Sequence, residues 1–145
     1  MPFDDPFDLQ RFVDAQASAF DAAIGELRAG RKRSHWIWFV FPQLRGLGRS
    51  PAAQRYGIAS LDEARAYLRH PLLGPRLKDA TRAMLMHSAE SAETILGSLD
   101  AMKFGSSMTL FARAEAADDN VFRDALGVFF SGREDEATLA LLRQV

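Results

Sequence analysis

Apolar side chains recur at three- and four-residue steps from about Asp8 to Arg28, through Leu9, Phe12, Val13, Phe20, Ile24 and Leu27, with Gln16 on the same face. That spacing lines one side of a helix, and Gly30 is placed to stop it. Asp4, Asp5, Pro6 and Asp8 mark its start, where negative charge suits the positive end of a helix dipole. The stretch His35-Trp36-Ile37-Trp38-Phe39-Val40-Phe41 is nearly all large and apolar, so periodicity alone does not divide a buried strand from a buried helix of two turns. Context favours helix. No second strand-like segment offers a partner, and a lone strand would leave its backbone groups unpaired. Pro42 ends the run, and Leu44 to Ser50, with Gly46 and Gly48, reads as loop.

Downstream the punctuation is dense. Ser50-Pro51 opens a short helix that runs to Arg55 and stops at Gly57. Ser60-Leu61-Asp62-Glu63 is a capping box before Ala64, Tyr67 and Leu68, and His70-Pro71 closes that helix. Leu72, Leu73, Leu77, Ala80, Met84 and Leu85 carry the next to His87, with a break expected at Gly74-Pro75. Ser91 to Leu96 and Leu99 to Phe104 follow, and Gly105-Ser106-Ser107 is expected to interrupt the path before Met108 to Ala116. Asn120 to Phe130 ends at Gly132, and a last helix starts near Arg133 with Ser131 to Glu134 as its capping box. The pattern predicts an all-α, single multihelical domain spanning residues 1–145, with about six to eight short helices.

Composition agrees with a soluble globular chain: 48% hydrophobic and 26% charged, over 145 residues. The net charge of -1 gives no global attraction for nucleic acid or an anionic membrane, so any basic patch is local, and binding through Arg28 to Arg33 is disfavoured. The absence of cysteine excludes disulfides, thiolate metal sites and a cysteine nucleophile. His35, His70 and His87 have no metal-ligand spacing, so neither a metal nor a cofactor is expected. The start, Met1 to Asp8, is acidic and lacks the positive segment and apolar run of a secretion signal, and no apolar run approaches the roughly 20 residues that span a bilayer. A cytoplasmic location is the expectation.

Candidate chemistry gathers at two places. His35, beside Trp36 at the mouth of the aromatic run, reads either as a hydrogen-bonded structural histidine or as an acid/base group. Trp36 and Trp38 point in different directions on a helix, so one can be core while the other lines a pocket and stacks on a ring. Gln43 and Arg45, in the glycine-rich segment after Pro42, could orient and neutralise a phosphate, although neither a Rossmann fingerprint nor a P-loop is present. The second concentration is Asp100 to Thr109. Lys103 is either a snorkelling lysine or a cation in a shared cleft, and Ser106 and Ser107 either cap a helix or bind an oxyanion. His70 and His87 read as cations at helix C-termini, and Arg31-Lys32-Arg33 as a solvated turn.

These residues also carry a resemblance. Asp5-Pro6-Phe7-Asp8-Leu9-Gln10-Arg11-Phe12, Ser34-His35-Trp36, Phe41-Pro42-Gln43, Gly46-Leu47-Gly48, Tyr56-Gly57-Ile58, His70-Pro71-Leu72-Leu73-Gly74, Arg76-Leu77, Asp100, Lys103 and Ser106-Ser107-Met108-Thr109-Leu110-Phe111 resemble a bacterial family known as domain of unknown function 1810, sometimes mislabelled calpastatin. The resemblance covers nearly the whole chain and implies a mostly helical single-domain bacterial cytosolic protein, with no established activity. A fainter likeness is to the NADAR (YbiA-like) proteins, small helical domains linked to ADP-ribose and N-glycosidic chemistry. Their glutamate-centred motif has no residue-by-residue counterpart here.

Together these readings suggest a pocket between residues 35–45 and 103–107 for a phosphorylated nucleotide-like metabolite of the ADP-ribose type. Trp36 or Trp38 would stack, Arg45 and Lys103 would neutralise phosphate, and Gln43 with Ser106 or Ser107 would orient it. His35 and then Asp100 would be the catalytic candidates if a reaction occurs. The rival reading is a non-enzymatic domain whose aromatic stretch is core or a self-association surface.

Overall fold

The first amphipathic stripe folds as two helices, α1 (Gln10–Ala17) and α2 (Phe20–Ala29), in the computed structural model, which describes residues 4–144. Met1, Pro2 and Phe3, part of the start read above for a secretion signal, lie outside the described residues. The expected continuous helix is thus corrected by a turn at Ser18-Ala19. The turn lets α1 pack against the aromatic run and α2 against a later helix, α6 (Leu73–Leu85), which one straight rod would not do. Gly30 caps α2 in the left-handed conformation (φ 81°), with its amide and that of Arg31 returning to Leu27 and Glu26 carbonyls.

The aromatic run is helical, as favoured, but only for one turn: α3 (Ile37–Val40). A long-range bond holds it, because Gln16 Nε2 on α1 donates to the Phe39 carbonyl at 2.7 Å. Beyond Pro42 the loop expectation needs one amendment. Ile58 N–H donates to the Gln43 carbonyl (2.9 Å) and Arg45 N–H to the Ile58 carbonyl (2.7 Å), a single parallel bridge centred on Leu44 and Ile58.

α4 (Pro51–Tyr56) and α5 (Leu61–Arg69) start on Ser50 and Ser60, whose hydroxyls accept from the Ala53 and Glu63 amides. Only half of the Ser60 capping box forms, because Glu63 reaches the amide of Ala59 and the guanidinium of Arg11 instead. His70 corrects its cationic reading. Its Nδ1 accepts from the Leu72 and Leu73 amides, so the ring caps the start of α6. Gly74-Pro75 does not break α6: both sit in its first turn, where proline loses no hydrogen bond. Gly74 is required there, since a Cβ would lie 2.1 Å from the Leu68 carbonyl oxygen.

After the short α7 (Ala92–Leu96), α8 (Ser98–Ala114) runs unbroken for 17 residues and packs against α3, α5, α7, α9 and α10. The expected interruption at Gly105-Ser106-Ser107 is absent. Gly105 instead opens space for the Phe130 ring, which a Cβ would meet at 3.0 Å, while Ser106 Oγ and Thr109 Oγ1 donate to carbonyls four residues back. α9 (Val121–Phe130) starts on Asn120 as expected, and the chain leaves it through left-handed Ser131 and Gly132. The last helix, α10 (Glu136–Leu142), is capped by Asp135 through the Thr138 amide, four residues beyond the expected cap Ser131. The fold is all-α, with ten helices among the described residues against the six to eight expected. Phe12, Trp36, Phe41, Tyr67, Phe104, Phe111 and Phe122 fill its centre.

Candidate functional site

Glu26 in the last turn of α2 begins the site. Because Gly30 turns the chain back, the backbone of residues 33–34 returns over that turn. One carboxylate oxygen of Glu26 accepts from the Arg33 and Ser34 amides (2.7 and 3.0 Å) and from Trp36 Nε1 (2.9 Å), and the other accepts from Ser34 Oγ (2.6 Å). Partial burial pushes its pKa up, but these four hydrogen bonds outweigh that and bring it from 4.5 down to about 2. The bonds fix the indole of Trp36, which is buried.

Lys32, read as part of a solvated turn, is the main residue that sequence reasoning missed. Its amide donates to the Ile95 carbonyl at 2.8 Å, its ammonium lies 5.1 Å from the Trp36 ring centroid, and its side chain is only 8% exposed. There it meets Asp100 in the first turn of α8, Nζ to Oδ2 at 2.7 Å. The other oxygen of Asp100 takes Lys103 Nζ at 3.1 Å, one turn along α8. Lys103 in turn lies 4.3 Å from the Trp38 ring centroid and keeps 25% of its side chain in solvent. Burial pushes the Asp100 carboxyl up, yet the two ammoniums overcome it and hold the group below the usual aspartate value. No local signal singles out Lys32: residues 31–36 are not helical, so an i,i+4 step to Trp36 carries no pairing information, and nothing in the spacing points from Lys32 to Asp100.

The structure therefore brings four of the sequence candidates, Trp36, Trp38, Asp100 and Lys103, into one chain of contacts through Lys32. The others stand apart from it. His35 is exposed, and its ring has no hydrogen bond among the described residues. Gln43 is buried and held by its main chain to Ile58. Arg45 is exposed, with one bond from Nη2 to the Gly57 carbonyl at 3.0 Å. Ser106 Oγ is committed to the Met102 carbonyl and Asp135, and Ser107 is fully buried with an unpartnered hydroxyl. His87 Nε2 lies 3.0 Å from the Arg28 carbonyl, and its ring packs on Gly30, tying α6 to the end of α2.

No group of three His, Asp or Glu residues able to hold a metal occurs among the described residues, nor does any helix long and apolar enough to cross a membrane. What the cluster can do chemically is present two ammoniums and an accessible indole around one ionised carboxylate.

Comparison with known proteins fits this anatomy to a family. The model of the family described as "Protein of unknown function (DUF1810)" matches residues 6–142. A solved structure, that of the conserved hypothetical protein Rv1873 from Mycobacterium tuberculosis, is 56% identical, with a TM-score of 0.93 over 96% of this chain and 99% of that one. No curated protein matches. The chain belongs to the DUF1810 family. The fainter resemblance to NADAR proteins is not among what these comparisons show.

Proposed function

We propose that this DUF1810 member is a bacterial cytoplasmic binding protein for a phosphorylated, nucleotide-like metabolite of the ADP-ribose type, held at the Lys32, Asp100 and Lys103 cluster. The observation that carries this reading is Lys103: a partly exposed ammonium on the face of Trp38, with one carboxylate partner for three donors. A phosphate oxygen takes the remaining donors, and the solvent-facing part of Trp38 packs against the ring. Bound phosphate competes with Asp100 for Lys103.

Binding is favoured over acid/base catalysis. Two ammoniums keep Asp100 ionised and make it a poor proton acceptor near neutral pH, while exposed His35 has no partner to orient it. A second reading, in which the cluster only ties the segment after α2 to α8, draws support from Asp100 already joining both lysines. A thermal-shift panel of ADP-ribose, ADP, AMP, ribose 5-phosphate and adenosine, each at about 5 mM, separates them, because a ligand that binds only the folded state raises its melting temperature. Phosphorylated members should stabilise the protein and adenosine should not; no shift with any member leaves the structural reading.

A further inference from the structure

Away from the lysine cluster, a cleft of about 430 Å³ opens where α7, α8, α9 and α10 meet. That volume lies within the range of small-molecule sites. Met102 and Gly105 of α8 and Phe129 and Phe130 of α9 supply its apolar surface. Gly105 is what lets the Phe130 ring lie against α8, and Met102, 70% exposed one turn after exposed Leu99, extends the apolar lip into solvent.

The charges around this surface divide into two groups. Glu134 is already bound by Arg113 through two bonds (2.6 and 2.9 Å) and lies 3.5 Å from Arg123, and Asp135 is spent capping α10 and accepting from Ser106. Glu93 and Glu136, by contrast, have no side-chain hydrogen bond or ion pair among the described residues, although both line the cleft. The cation on the lining, Arg133, turns its Nε towards the Phe130 carbonyl at 3.4 Å and pairs with no carboxylate among the described residues. Aromatic rings with uncommitted carboxylates at the edge fit one ligand chemistry: a positively charged amine attached to an apolar body. Its cation lies between ring faces and carboxylates, and its body covers Met102 and the phenylalanines.

We infer that this cleft is a second binding site, for an organic monoamine, separate from the Lys103 site. Glu93 and Glu136 receive the ammonium there, and the like charge of Arg133 on the same lining opposes it. Two-dimensional amide NMR with phenethylammonium, and with phenethyl alcohol and phenylacetate as neutral and anionic isosteres, tests it. The amine should shift the Met102, Gly105 and Ser131 amides saturably and bind roughly threefold to thirtyfold tighter than the alcohol, with phenylacetate weakest. The double variant E93Q/E136Q, altered only at exposed positions, should bind amine and alcohol alike, and R133Q should bind the amine more tightly. Equal affinity for amine and alcohol in the natural protein, a preference that survives in E93Q/E136Q, or shifts absent from the cleft would each overturn the inference.

Discussion

Two charged nodes in this protein are built from the same materials and do different things. Arg11 and Glu63 pair at 2.7 Å with side chains only 5% and 3% exposed, and the guanidinium donates as well to the carbonyls of Phe7, Asp8, Arg55 and Gly57. Glu63 uses its second oxygen on the Ala59 amide. The node is saturated, and it staples α1, the end of α4 and the start of α5. Around Asp100, two lysines share one carboxylate, each resting on an indole, and Lys103 reaches solvent. A saturated buried pair has no capacity left for a ligand; a half-satisfied, partly exposed one does.

The largest expected effect breaks the first node. Arg11→Met strands Glu63 in the interior and should cost about 3–5 kcal/mol in denaturant unfolding, without touching the lysine cluster. Next comes Glu26→Gln. Glu26 has a depressed folded pKa, so its contribution is full above the unfolded value near 4.5 and is lost as pH falls through that value towards about 2. Discounted for its exposure, that contribution is about 1 kcal/mol, and the variant's stability should be correspondingly flatter across this window.

Asp100→Asn should cost about 1 kcal/mol of stability, since the amide oxygen still accepts from Lys32, whose side chain is 8% exposed, and the Lys103 pair is partly exposed. It should also tighten phosphate-ligand binding by freeing Lys103; unchanged or weaker binding would show that Asp100 does not compete with phosphate for that lysine. The smallest stability effect is expected for Lys103→Met, under about 1 kcal/mol, with ligand-induced stabilisation lost. A large fall in melting temperature there would place Lys103 with Arg11 as structure.

Local signals were readable in the chain where the physics is local. Ser50 and Ser60 cap helices as expected, Ser91 and Asn120 stand where helices were expected to start and cap them, and Gly30 ends α2. The errors arose where a distant partner decides. Gly105-Ser106-Ser107 looks like a break until Phe130 packs against it, and Gln16 looks like one face of a single helix until Phe39 claims its amide. The site divides the same way. Asp100 and Lys103 are an i,i+3 pair visible in the sequence, but the Lys32 contact joins residues 68 positions apart. Glu26 as the anchor of Trp36 emerges only once Gly30 has turned the chain back.

Phosphate-ligand binding at Lys103 is tested most directly by titration calorimetry of ADP-ribose into the natural protein and into Lys103→Met, after both are shown to be folded. Binding to the natural protein should be saturable and should weaken at least about tenfold in the variant, the loss of one charge-assisted phosphate contact. Equal affinity for both proteins, or no heat of binding with the natural protein, would contradict it.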